Sequence, residues 1–313
     1  MRIVFMGTPV FAVPTLKALI ESHHEVVGVV TQPDKKSGRG QKLTESPVKR
    51  CALDYSIPVL QPERMKDESF IDHLRALKAD IQVVVAFRML PKVVWDMPPK
   101  GTFNVHTSLL PEYRGAAPIN WAVMNGETKS GLSTFLLDEQ IDTGKIIFQQ
   151  EVDISPTMTA GELHDALQEL SGPLALKTLD ALESGDFSFT AQDLTAPYKP
   201  APKIFKDDMK IPLTESLPSI YNHIRGLSPY PGAHVEVLLE GQTLAVKILE
   251  CSIEKGKQEF KPYTLGVLDK KLGLQHPEGM LWIESLKWPG KRLLKTGDFL
   301  NGFKFSYNLD VKA

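Results

Sequence analysis

The chain has 313 residues, 42% hydrophobic and 24% charged, with a formal net charge of −2. This length exceeds one ordinary core and leads to an expectation of two domains. The near-neutral balance excludes a uniformly basic nucleic-acid-coating protein, and no run approaches the roughly 18 apolar residues of a membrane span.

In chain order, "RIVFMG" (2–7) and "EVVGVVTQ" (25–32) read as strands, being β-branched runs closed by glycine or polar residues. Between them "VFAVPTLKALIES" (10–22) has helical spacing, and His23 and His24 read as exposed turn residues. The opening "MRIVFMGTP" enters this strand directly, with none of the character of a secretory leader, so the expected location is cytoplasmic. Cys51 and Cys251 lack metal-type spacing and read as free thiols. A helix over 46–56, a short strand "IPVLQ" and a helix over 68–78 follow. "IQVVVAF" (81–87) lacks polar alternation and reads as a strand buried on both faces. "GTFNVHTS" (101–108) is another strand. This rhythm predicts an α/β, Rossmann-like parallel-rich sheet with helices on both faces.

"GLSTFLLD" and "KIIFQQEVDI" read as a strand pair joined by "EQIDTG". A long amphipathic helix over 160–185 is expected to be disturbed at Gly172-Pro173. "TAPYKPAPKIFKDD" (195–208) has linker composition, "LPSIYNHIRGL" is helical, and short strands continue to the end. The expected organisation is a catalytic domain over 1–195, a linker over 196–210 and a small OB-like β-barrel over 211–313. Residues 201–313 hold 16 Lys/Arg against 13 Asp/Glu, a mildly basic balance that permits a polyanionic partner without requiring one.

Three features carry chemistry. Gly7 lies between strand and helix, but Thr8-Pro9-Val10 follows it, which is no dinucleotide fingerprint. The polar segment 31–49 reads either as a solvated surface loop or as a phosphate-contacting arm built on Arg39 between two glycines, with Lys35, Lys36 and Lys42. Asn104 and His106, two apart at a strand end, face one side together. Asp142 follows in a loop that Gly144 can turn sharply. An Asn-His-Asp set without a paired Ser or Cys suits oxyanion stabilisation during acyl transfer between two bound substrates, rather than covalent catalysis. A nearby carboxylate favours the charged form of an imidazole.

"NVHTSLLPEYRGAAPINWAVMNGE" with "DEQIDTG" resembles the signature of the folate-dependent formyltransferases. "MGTPVFA", "TQPDKKSGRGQKL", "SPVK", "VVVAF" and "IRGLSPYPGA" resemble its tRNA-acting branch. The resemblance spans essentially the whole chain and thins after about residue 240. It implies Asn104, His106 and Asp142 as catalytic trio, 10-formyltetrahydrofolate as co-substrate and no metal. It implies folate contacts at Ser108, Leu109, Leu110, Pro111, Phe87, Arg88, Met89, Leu90 and Asp138. Arg39 corresponds to an arginine of the loop that such enzymes present to the tRNA acceptor stem. One departure is "VVVAFRMLP", where the commoner pattern has Tyr-Gly and one more residue. The implied reaction is formyl transfer to the α-amino group of methionine on initiator methionyl-tRNA, by a monomer with no membrane partner. The alternative is a folate-dependent transfer to a small amine, such as a glycinamide ribonucleotide or an amino-sugar nucleotide. Neither the basic 31–49 segment nor a further domain of about 110 residues would be needed for that.

Overall fold

The computed structural model describes residues 1–37, 42–303 and 308–312. The chain divides into two compact units. One comprises Met1–Gly115, Ser130–Asp153 and His164–Pro200, the other Ala116–Lys129, Ile154–Leu163 and Ala201–Ala313.

The elements up to the middle of the chain are β1 (Arg2–Gly7), α1 (Val13–Ile20), β2 (Glu25–Val30), β3 (Lys35–Ser37), β4 (Lys42–Thr44), α2 (Pro47–Asp54) and β5 (Val59–Leu60). Then come α3 (Glu68–Ala76), β6 (Ile81–Val85), α4 (Lys92–Trp95), β7 (Thr102–His106), α5 (Pro118–Met124), β8 (Lys129–Leu136), β9 (Ile146–Asp153) and α6 (Ala160–Ser184). The first sheet has the order β5-β2-β1-β6-β7-β8-β9. β5, β2, β1, β6 and β7 are parallel, and β8 joins antiparallel to β7. All five residues of β6 are buried, as a strand covered on both faces requires. α3 and α4 supply Phe70, Ile71, Leu74 and Val94 to the layer over Val4, Met6 and Val84.

The winding reverses between β1 and β6, which opens a crevice outside the carboxyl ends of the strands. Gly7 ends β1 there: a Cβ on it would lie 2.8 Å from the Ala12 Cβ and 3.0 Å from the Val85 carbonyl. This glycine serves close packing. α2 starts on Ser46, whose hydroxyl accepts the Lys49 N–H at 3.0 Å, with Pro47 just inside the helix.

Two expectations need correction. α6 runs unbroken for 25 residues through Pro173. A proline inside a helix costs about 3 kcal/mol or more. The buried stripe Leu167, Leu174, Ala175 and Leu179 offsets that cost, and Gly172 lets the helix approach Ala18 of α1, whose Cβ would lie 2.9 Å from a Cβ at 172. His24 is not exposed: its imidazole is enclosed beside Asp180 and the Met1 amino group.

In the second unit, α7 (Leu217–Gly226) precedes β10 (Ala233–Leu239), β11 (Gln242–Lys255), β12 (Thr264–Leu268), β13 (Lys271–His276), β14 (Gly279–Lys287) and β15 (Leu294–Lys295). α8 (Thr296–Gly302) and β16 (Leu309–Lys312) complete the chain. The order β11-β10-β16-β12-β13-β14 closes on itself through a β11–β14 pairing, giving a six-stranded antiparallel barrel. Closure removes free strand edges. Val235, Val246, Leu265, Leu274, Leu281, Ile283 and Leu309 fill it, and Trp288 stacks on Phe299 with ring centroids 5.3 Å apart. Among the described residues no helix is long and apolar enough to cross a membrane.

Candidate active site at the end of the seventh strand

β7 alternates. Phe103 and Val105 are buried on one face, while Asn104 and His106 point to the other. Its register sets Asn104 beside Val84 of β6 and Phe135 of β8, and His106 beside Ser133. The Asn104 amide is half-buried and makes no hydrogen bond among the described residues. His106 is 7% exposed, and its Nε2 lies 3.0 Å from the Tyr113 carbonyl. A carbonyl only accepts, so Nε2 carries the hydrogen and Nδ1 is left toward the site.

That nitrogen lies 3.9 Å from Asp142 Oδ2. The gap exceeds a direct hydrogen bond but suits an ion pair. Asp142 Oδ2 also accepts the Gly115 N–H at 3.0 Å. Asp142 has φ +55° and Tyr113 +59°, left-handed conformations that cost a non-glycine residue roughly 1–2 kcal/mol each. Gly144 makes the turn possible: a Cβ there would sit 1.7 Å from the Leu136 carbonyl oxygen. Asp142 is therefore brought to the imidazole at a conformational cost, a pattern found at functional sites.

The segment after His106 has a scaffolding role. Ser108 is fully buried and donates to the Glu112 carbonyl at 2.6 Å, while the Ser133 hydroxyl donates to the Ser108 carbonyl at 2.6 Å and accepts the Leu110 N–H at 3.0 Å. Leu110 packs with Phe135 and Ile146. Leu109 and Pro111 are half-buried. Asp138 caps its own loop, accepting from the Gln140 N–H and the Thr143 hydroxyl.

After β6 the chain turns at Ala86, φ +48°. Phe87 packs toward the Val4–Met6 layer and Leu90 is buried in it. Arg88 lies over the Phe87 ring and donates to the Pro62 and Glu63 carbonyls, so it braces the neighbouring loop. Met89 is 72% exposed and lines a cleft of ≈ 580 Å³ with Ile141, Thr143, Arg114, Leu194 and Tyr198. Exposed apolar side chains gathered on a concave surface of this size make the cleft a candidate small-molecule site. Lys92 pairs with Glu139 at 2.6 Å, linking the two loops; this contact raises the Lys92 pKa and lowers that of Glu139. Both groups are exposed, so the pair adds little stability.

Two residues missed in the sequence complete the arrangement. Arg114, 7% exposed, lies over the Tyr198 ring at 4.7 Å. Gln192 accepts from its Nε and Nη2 at 3.2 and 2.7 Å, and donates to the carbonyls of Asp142 and Gly144 at 3.0 and 2.7 Å. The "YRG" motif gave a signal for Arg114; Gln192, 50 residues beyond Asp142, had none.

The 31–49 segment is rooted at its base. Lys49 Nζ lies 2.6 Å from Asp34 and 3.0 Å from Glu45, and Gln61 donates to Asp34 at 2.8 Å. The hydrogen bond from Lys49 leads the causes that hold the Asp34 carboxyl below its ordinary value. β3 and β4 form a short antiparallel ladder bearing exposed Lys35. Arg39 lies outside the described residues, as do the side chains of Lys36 and Lys42.

Among the described residues, one cluster has metal-ligating composition: His23, His24, Asp180 and Glu183. Its groups are engaged with each other and with the chain's amino group. The Met1 ammonium lies 3.0 Å from Glu183 and heads the causes that bring its pKa to about 2. His24 is held by Met1 on one nitrogen and Asp180 on the other. This is an ion-pair network at the end of α6.

Residues 1–179 match the formyl transferase family and residues 203–304 its C-terminal domain family. A methionyl-tRNA formyltransferase of Bacteroides fragilis is 48% identical over 319 residues, covering 100% of this chain and 98% of its own. One of Flavobacterium johnsoniae is 46% identical over 306 residues, covering 98% of this chain and 97% of its own. Among solved structures, HypX from Aquifex aeolicus in complex with tetrahydrofolic acid superposes with a TM-score of 0.65 at 18% identity, covering 96% of this chain and 47% of that one. WlaRD, a sugar 3N-formyl transferase, does so at 0.64 and 19%, covering 93% and 99%. At that identity the likeness concerns the fold.

Proposed function

Because the chain belongs to the formyl transferase family, we propose that it transfers the formyl group of 10-formyltetrahydrofolate to the α-amino group of methionine on initiator methionyl-tRNA. The observation that carries this reading is the near-complete correspondence, in both directions, with methionyl-tRNA formyltransferases at 46–48% identity. The folate is assigned to the cleft between Met89 and the 138–143 loop, where Met89, Ile141 and Tyr198 offer surfaces for a flat heteroaromatic ring.

In the proposed transfer the methionyl amine adds to the formyl carbon, and the carbonyl π electrons move to oxygen. The Asn104 amide donates one hydrogen bond to that oxyanion. His106, protonated on Nδ1, donates another, its ring anchored through Nε2–H on Tyr113. The Asp142 carboxylate beside Nδ1 accepts the proton that leaves the amine, directly or through a water. As the bond from carbon to folate nitrogen breaks, that proton ends on the folate nitrogen. The proposed transfer assigns no step to a metal. Lys35, Lys36, Arg39 and Lys42 are proposed to contact tRNA phosphates.

The deciding experiment incubates the purified chain with 10-formyltetrahydrofolate and methionyl initiator tRNA, with and without EDTA. Formylmethionine forms in both, and not with uncharged tRNA. No product, or formylation of glycinamide ribonucleotide in its place, overturns the reading. Loss of product in EDTA alone overturns its metal-free part, and sedimentation at working concentration tests the proposed monomer.

A further inference from the structure

Asp142 is placed against a conformational preference, and among the described residues its carboxylate accepts one hydrogen bond, from the Gly115 N–H, besides facing His106. The Gln192 amide meets the backbone of this turn. Its NH₂ has two hydrogens, and each meets a carbonyl of the turn, at Asp142 and Gly144. Its oxygen has two lone pairs, and both meet Arg114, the residue between Tyr113 and Gly115. All the hydrogen-bonding capacity of the amide is spent on these two segments.

The two segments are the ones that set the imidazole and the carboxylate. Tyr113 offers its carbonyl to His106 Nε2–H, and Gly115 offers its N–H to Asp142 Oδ2. The Gln192 amide closes a ring of contacts through Arg114 around the 3.9 Å gap between His106 and Asp142. No other common side chain of this length supplies two acceptor sites on one atom and two donors on the next. Glutamate would keep the bonds to Arg114 but set an acceptor oxygen against the two carbonyls. Leucine of similar size would satisfy neither side and leave the Arg114 guanidinium short of acceptors.

We propose that Gln192 is a positioning residue for the transfer: by tying the Asp142–Gly144 turn to Arg114, it keeps the Asp142 carboxylate at the His106 imidazole. This rests on the reaction proposed above. A misplacement of about 1 Å at a reacting group costs on the order of 10²-fold in rate, and an effect carried through Asp142 disappears once Asp142 is disabled.

The test compares the parent, Gln192→Leu, Gln192→Glu, Asp142→Asn and the double variants under single turnover with 10-formyltetrahydrofolate and methionyl-tRNA. Thermal unfolding reports on folding. Both Gln192 variants are expected to lose roughly 10- to 100-fold in transfer rate, with the KM for tRNA within threefold. In the Asp142→Asn background the same substitutions are expected to change the rate by less than threefold. A Gln192→Glu rate equal to the parent overturns the proposal, because anchoring Arg114 alone would then suffice. Equal losses with and without Asp142 overturn it too, since a general packing role predicts additivity. If the parent forms no formylmethionine, the reaction assigned above fails first. Amide hydrogen exchange then decides: faster exchange of the Gly115 N–H in Gln192→Leu supports the proposal, and unchanged exchange overturns it.

Discussion

At the scale of single residues, the division between Asn104 and His106 is chemical. Among the described residues the Asn104 side chain makes no hydrogen bond, whereas His106 has committed Nε2–H to Tyr113 and presents Nδ1. On the proposed mechanism both donate to the oxyanion, so Asn104→Ala and His106→Ala should each slow single-turnover transfer by roughly 10²–10³-fold. Denaturation midpoints near the parent's would show that each variant is folded. Rates within tenfold of the parent would remove these residues from the chemistry. The pair was legible in the sequence because strand alternation sends residues two apart to one face. Which imidazole nitrogen faces the site was not legible, since Tyr113 reaches it through a left-handed backbone turn.

At the scale of elements, two loops carry the predictions. The turn after β8 depends on Gly144, where a Cβ would meet the Leu136 carbonyl at 1.7 Å. Gly144→Ala must displace one strand end, at roughly 1–3 kcal/mol of strain, and Asp142 moves with it. The expected outcome is a lower unfolding midpoint together with a transfer rate reduced at least tenfold, on the order expected for a misplaced reacting group. Parent-like values of both would show that the turn relaxes freely. The 31–49 arm is rooted through Lys49, Asp34 and Gln61. Arg39→Ala should weaken productive use of charged tRNA, read as kcat/KM, while folate binding by fluorescence stays unchanged. An unaltered kcat/KM would reduce the arm to a solvated loop. The disturbance expected at Gly172-Pro173 does not interrupt α6, because the periodicity that builds the helix also buries it, and that burial outweighs one missing N–H.

At the scale of the whole molecule, stability has a pH dependence rooted in the second unit. His223 on α7 is buried, and among the described residues its Nε2 has no hydrogen-bond partner. Desolvation leads the causes that lower its pKa from 6.5 to about 4, with His234 adding to the shift and Asp208 opposing it. Above about pH 6.5 the group is neutral in both states and contributes nothing to the balance. Between that pH and about 4 only the unfolded chain takes up the proton, so stability falls on acidification, by up to about 3 kcal/mol from this group. Denaturant unfolding at pH 7 and 4.5 should show the loss, and His223→Leu should reduce it. An unchanged pH slope in the variant would mean that His223 is solvated or partnered in solution.

The amino-acid sequence by itself determined the alternating parallel sheet, the β-rich C-terminal portion, the amide–imidazole pair and the family resemblance. Each of these rests on periodicity, turn chemistry or contiguous motifs, all local properties of the chain. Only the tertiary structure decided that the barrel closes through β11 and β14, that His24 is buried, and that Gln192 joins Arg114 to the Asp142 turn. Such contacts join residues far apart in the chain through single hydrogen bonds or strand edges, and those leave no periodic trace in the residues that make them.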